Sequence, residues 1–191
     1  MVSEGTGVWT LFLNGSQKAF EQIYYEHVDY LYDYGMRICR DTSVVEDCLQ
    51  DMFSHLWEKR EVLSEVTSVR TYLLVALRRR IIRNLTTKQK QVDQPSDDIN
   101  AYARDFDPYI SSDLSEDIID QIRGAFNKLS DKQKEVIYLR FYNQLTYAEI
   151  ADVLSITTKA VYKLMARAIQ AMRIQVKSPV YPIILLIILS V

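Results

Sequence analysis

The chain has 191 residues, 48% of them hydrophobic, with only 5 glycines and 4 prolines, so length and composition exclude global disorder and favour an all-α protein of one ordinary or two small domains. Lys and Arg (23) nearly balance Asp and Glu (25), which excludes a uniformly basic nucleic-acid binder but leaves room for separate charged surfaces. Cys39 and Cys48 lack CxxC spacing, His27 and His55 lack ligand-type neighbours, and the start MVSEGTGVW has no secretory pattern; together these point to a cytoplasmic protein with reduced thiols, no metal centre and no cofactor.

Residues 9–39 carry Phe20, Ile23, Tyr24, Val28, Leu31, Met36 and Ile38 at helical spacing. Tyr24, Tyr25, Tyr30, Tyr32 and Tyr34 suit helices packed with their hydroxyls near the surface. Asp41 or Thr42 can cap a helix over 44–59. Its stripe Val45, Leu49, Met52, Phe53 and Leu56 lies opposite an acidic face of Glu46, Asp47 and Asp51. The stretch REVLSEVTSV, 60–69, breaks the pattern and reads as a loop.

A helix follows from residue 71 to about residue 88. Its segment TYLLVALRRRIIRNL combines a buried-looking pattern with four arginines. At 100° per residue, Leu73, Leu74, Leu77, Ile81 and Leu85 share one side. Tyr72, Arg79 and Arg83 line the opposite side, Arg80 sits at its edge, and Arg78 must snorkel outward. An aromatic-plus-arginine face of this kind suits unstacked bases and their phosphates. A solvated basic face is the plainer alternative. From 70 to 90 there are seven basic residues and no acid, and from 159 to 177 five basic residues and no acid, so two separate anion-facing surfaces are expected.

Residues 92–115 hold two prolines, many turn formers and a run of acids, and read as an acidic linker. Beyond it, Ile118, Ile119, Ile122, Phe126 and Leu129 form one amphipathic face. SDKQ (130–133) and TYAE (146–149) are capping boxes that start two further helices. A short helix over 147–154, a turn with Ile156 as a plug and Thr157 as N-cap, and a long helix with Val161, Leu164, Met165, Ala168, Ile169 and Met172 on one stripe make a helix-turn-helix pattern. Lys159, Tyr162, Lys163 and Arg167 lie on the outward face of its second helix. An ordinary helical hairpin with a solvated face shares that pattern. The expected architecture is therefore all-α: two small helical domains, 9–91 and 116–177, joined by an acidic linker at 92–115, and an apolar tail at 178–191.

In order and spacing these segments resemble an extracytoplasmic-function sigma factor of bacterial RNA polymerase, over residues 9–175. AFEQIYYEHVDYLYDYGMRI is similar to the family's first helices. VVEDCLQDMFSHLWEKRE resembles the acidic helix that docks on the β′ clamp helices. TYLLVALRRRIIRNL resembles the promoter −10 helix, and the segment LSDKQKEVIYLRFYNQLTYAEIADVLSITTKAVYKLMARAIQAMR resembles the −35-binding domain.

The resemblance implies non-catalytic action: binding of core RNA polymerase (β′ clamp helices and β subunit), promoter recognition and DNA opening, with an anti-sigma factor as a further partner and no small-molecule substrate. Asp47, Gln50, Asp51 and Phe53 would belong to the polymerase-docking surface. Tyr72, Arg79, Arg80 and Arg83 would meet the −10 element, and loop 63–69 would capture a flipped base. Thr158, Lys159, Tyr162, Lys163 and Arg167 would face the −35 major groove. Family members often carry Asn at Arg79, Asp at Arg83 and Gly at Ser155; the two arginines imply more phosphate binding.

Two rival readings are a stand-alone dimeric helix-turn-helix regulator and an interaction module without a DNA role. An enzyme has no support, since no nucleophile–base pair, metal cluster or phosphate loop is visible. The tail, aliphatic without interruption over 183–189, is too short to span a membrane, which takes about 20 apolar residues. It is expected to fold back on the protein's own helices, to dock on a partner or a second copy, or to touch a membrane weakly.

Overall fold

The computed structural model describes residues 4–91 and 116–175, so the linker expected at 92–115 and the tail expected at 178–191 lie outside the described residues. The chain divides into two compact units, Met1–Ala101 and Tyr102–Val191. Both are helical, and no strand occurs among the described residues.

The first unit comprises α1 (Glu4–Leu13), α2 (Gln17–Ile38), α3 (Thr42–Lys59), a 3-10 turn (Arg60–Val62) and α4 (Val69–Gln91). Local chemistry punctuates each boundary. Between α1 and α2, Gly15 takes a φ of 88°, a region open to residues without a Cβ, and the Ser16 side chain accepts from the Ala19 N–H to start α2. Asp41 caps α3 by accepting from the Val44 N–H at 3.2 Å. The Ser68 hydroxyl accepts from the Thr71 N–H at 3.2 Å, so α4 begins at Val69, inside the segment expected to be loop.

Leu73, Leu74, Leu77 and Ile81 of α4 are fully buried, together with Ile23, Leu31 and Tyr34 of α2 and Val45 and Met52 of α3. Each such aliphatic side chain contributes about 1.5–3 kcal/mol by leaving water. Tyr34 therefore departs from the expectation that the tyrosines keep their hydroxyls at the surface. It lies on the core side of α2, whereas Tyr24 and Tyr25 are exposed.

The second unit comprises α5 (Glu116–Asn127), α6 (Asp131–Phe141), α7 (Tyr147–Leu154) and α8 (Thr158–Gln175). α8 packs on α5, α6 and α7. α6 packs on α8 and α7, and its Lys134 and Glu135 are buried along with Val136 to Leu139. Lys134 places its ammonium 5.8 Å from the centre of the Phe126 ring, a cation–π contact that helps offset its loss of water. Both expected capping boxes form, at Ser130/Gln133 and Thr146/Glu149.

Candidate nucleic-acid interface

The helix-turn-helix is built from short-range interactions. At its start the Thr146 side chain accepts from the Glu149 N–H, and the Glu149 carboxylate accepts from the Thr146 N–H at 2.8 Å. α7 ends at Ser155, which is left-handed at φ 55° and ψ 45°. The Ile156 N–H then reaches the Ala151 carbonyl at 3.0 Å, closing the last turn. The Thr157 hydroxyl accepts from the Ala160 N–H and opens α8.

Val161, Met165, Ala168 and Met172 bury one side of α8. Thr158, Lys159, Tyr162, Lys163 and Arg167 are all exposed on the remainder, so the structure brings the five expected residues together on the outward surface of one helix. Tyr162, 56% exposed, is held by the Tyr147 ring at 4.3 Å between centroids. The Arg140 guanidinium lies 5.4 Å from the Tyr147 ring centre and donates to the Leu145 carbonyl at 3.0 Å. Tyr147 and Arg140 are thus supports of the α8 surface that sequence periodicity does not reveal, because they come from α7 and α6.

On the basic helix α4 the arginines are placed as expected and Tyr72 is more enclosed. Arg79 and Arg83 are exposed one turn apart, and Arg80 is half-buried. Tyr72 is also half-buried: the Trp9 ring of α1 meets it edge-on at 5.3 Å. Burial raises the pKa of the Tyr72 hydroxyl, and the Arg80 charge opposes that shift. The aromatic-plus-arginine face is therefore split. α1 covers its aromatic end, leaving the arginine end to solvent, and the angular arithmetic on α4 alone could not include a neighbour from the chain's start.

On α3, Asp47, Gln50 and Asp51 are exposed, but Phe53 is only 4% exposed. Tyr24 contacts Phe53 edge-on at 4.9 Å, and Phe20 does so at 6.2 Å. Phe53 consequently forms the floor of a groove of about 990 Å³ between α2 and α3 rather than a projecting contact. Aromatic groups Phe20, Tyr24, Tyr32 and Trp57 line it, with Asp29, Asp33, Glu46 and Gln50 supplying polar and acidic edges. The tyrosine-rich run of α2 was the available signal for this groove. Gln50 and Phe53 join it; Asp47 and Asp51 lie on the surface beside it.

A capped helix-turn-helix with a cationic outward helix defines a DNA-binding protein of the helix-turn-helix class. Comparison with known families makes the assignment specific. Sigma-70 region 2 matches residues 23–91, and Sigma-70, region 4 matches residues 119–172. The chain belongs to the sigma-70 family, in its extracytoplasmic-function group, and is a promoter-recognising factor of transcription initiation that works with core RNA polymerase. That pairing of regions sets aside the stand-alone regulator and the DNA-independent module.

The chain is similar to the ECF RNA polymerase sigma factor SigK of Mycolicibacterium vanbaalenii, with 27% identity over 169 residues, covering 82% of this chain and 81% of the relative. It is 26% identical over 165 residues to SigL of Mycobacterium tuberculosis, covering 80% and 85%. Among solved structures, the sigma factor RpoE in complex with the anti-sigma factor NepR from Bartonella quintana aligns with a TM-score of 0.61 at 19% identity, over 85% of this chain and 99% of that one. CnrH in complex with the cytosolic domain of CnrY aligns with a TM-score of 0.58 at 19% identity, over 87% and 92%. Those two likenesses show the fold. Among the described residues no helix is long and apolar enough to cross a membrane.

Proposed function

We propose how this sigma factor divides its work along the chain. Residues 9–91 dock on core polymerase and engage the −10 element, 92–115 link, 116–177 read the −35 element, and 178–191 form a separate apolar tail. Docking uses Asp47, Gln50 and Asp51 on α3 together with the aromatic groove floored by Phe53. Arg79, Arg80 and Arg83 follow the opened −10 strand, loop 63–69 captures an extruded base, and Tyr72 braces the first turn of α4 instead of stacking on bases. Thr158, Lys159, Tyr162, Lys163 and Arg167 face the −35 major groove.

The observation that carries this reading is the outward set on α8. Five side chains that can donate to base edges or phosphates are exposed together along the first three turns of a helix whose other side is packed. Unstacking a base costs a few kcal/mol per step, and exposed arginines beside the displaced strand offset part of it. The protein acts in the cytoplasm by binding, without a reaction of its own. The RpoE relative is solved with an anti-sigma factor, and a partner of that kind is proposed here too. Run-off transcription with core enzyme and genomic fragments of the host tests the reading. Specific transcripts dependent on this chain and on both promoter elements are expected; their absence from every fragment overturns it.

A further inference from the structure

We propose that Trp9 and Thr10 of α1 are positioning residues for loop 63–69, holding it in the form that receives an extruded base. The proposal rests on the loop's assignment in the preceding section. α1 precedes the residues, 23–91, that match sigma-70 region 2, so nothing in that match gives α1 a role.

The Trp9 ring is fully buried, and its indole N–H donates to the Ser64 carbonyl at 3.1 Å, across 55 residues of sequence. A buried indole donor needs an acceptor, and here that acceptor is a backbone atom in the middle of an irregular segment. Beside it the Thr10 hydroxyl donates to the Glu65 carboxylate at 2.7 Å. This second bond ties down the one acid inside 63–69 and so fixes the position of its charge.

The two ends of the segment are fixed independently. Before it, the Arg60 guanidinium lies 4.5 Å from the Trp57 ring centre and donates to the Trp57 carbonyl at 2.7 Å. At its end, Ser68 caps α4. Residues 63–67 between those anchors form no regular element, and the two bonds from α1 supply a fixed point for them. α1 is in turn anchored by Phe12 against Phe20 of α2 at 5.9 Å and by Trp9 against Tyr72 of α4 at 5.3 Å. A loop ordered before DNA arrives loses less freedom when it captures a base, so the brace favours opening more than initial binding.

The full-length protein is tested as Trp9→Phe, Thr10→Val and the double variant. Leu11→Ala, at an exposed position of the same helix, is the control. Amide exchange over 63–69 is measured in the free protein, and promoter opening is measured with core enzyme on duplex DNA and on a template already unpaired at −10. Two hydrogen bonds of ordinary net strength set an expected effect of about ten-fold on exchange and on duplex opening in the double variant. Core affinity stays unchanged, the unpaired template restores most of the rate, and Leu11→Ala behaves as wild type. Thr10→Val, at an exposed site, keeps the fold and must show its share of the effect. Unchanged loop exchange, unchanged duplex opening, or an equal loss on both templates overturns the proposal. Failure of the wild-type protein to open any promoter would instead overturn the assignment of the loop to −10 capture.

Discussion

Gly35 of α2 lies so close to Val45 of α3 that a Cβ added at Gly35 would stand 2.7 Å from Val45 Cγ1. It would also stand 3.4 Å from Ile81 Cδ1, so Gly35 sits where three helices meet. Val45 is fully buried and β-branched, with little freedom to turn away. Gly35→Ala is therefore expected to destabilise by about 1–3 kcal/mol despite the better helix propensity of alanine. Thermal melts of the single variant and of Gly35→Ala with Val45→Ala check the cause. Removing the valine methyls should make the two effects less than additive.

Ser155 occupies the left-handed region between α7 and α8, where family members often carry glycine. A residue with a Cβ is strained there, while glycine spends more chain entropy on folding. The first effect exceeds the second at a C-terminal helix position, so Ser155→Gly is expected to stabilise by about 0.5–1 kcal/mol. Ser155→Val should lose stability, since branching at Cβ makes that conformation worse. Denaturant midpoints for the three proteins decide the matter.

What could be read from the sequence was governed by range. The capping pairs Thr146/Glu149 and Ser130/Gln133 span three residues each, and their chemistry alone locates the starts of α7 and α6. The α4 stripe Leu73, Leu74, Leu77, Ile81 and Leu85 is likewise local; the first four are buried and Leu85 is half-buried. The half-burial of Tyr72 is not legible because its neighbour Trp9 is 63 residues earlier and leaves no mark on the α4 period. Phe53 had two incompatible signals, a place in the apolar stripe of α3 and a place in the docking motif; packing by Tyr24 and Phe20 puts its ring beneath the surface. Lys134 and Glu135 are buried although no pattern within α6 announces it.

His27 gives the first unit a defined pH dependence. Burial lowers its pKa from 6.5; Glu26 opposes the shift and Arg70 adds to it. The folded protein thus holds the imidazole neutral where the unfolded chain takes up a proton. Stability attributable to His27 is complete above 6.5 and is lost as pH falls from 6.5 toward the lowered folded value. Asp131 shifts the other way, upward from 3.8 through burial, so a total pH profile mixes the two signs. The difference between wild type and His27→Gln removes that mixture. Melts at pH 7.5 and 5.5 should show a larger drop for wild type than for His27→Gln; equal drops would show that His27 is not the group responsible.

The two cationic helices are expected to fail at different steps. Lys163 and Arg167 stand exposed on α8, and from 159 to 177 there is no acid to compete for them. Lys163→Ala and Arg167→Ala should weaken binding to a −35 duplex. A lost base contact costs about 1–3 kcal/mol and relaxes preference at one position; a lost phosphate contact weakens all sequences alike and lowers the salt slope by about one. Titrations with the holoenzyme at several salt concentrations, on matched and mismatched −35 sites, tell these apart. Arg79 and Arg83 are exposed on α4, whose one aromatic residue, Tyr72, is engaged with Trp9. Without a free ring beside them they act on the strand through charge, and charge on an opened strand matters after unpairing. Arg79→Ala with Arg83→Ala should therefore leave initial duplex binding within about two-fold of wild type, a margin below the cost of one base contact. The same pair should reduce permanganate reactivity of −10 thymines and make the remaining opening more sensitive to added salt. Unchanged permanganate footprints in that double variant would remove α4 from the opening step.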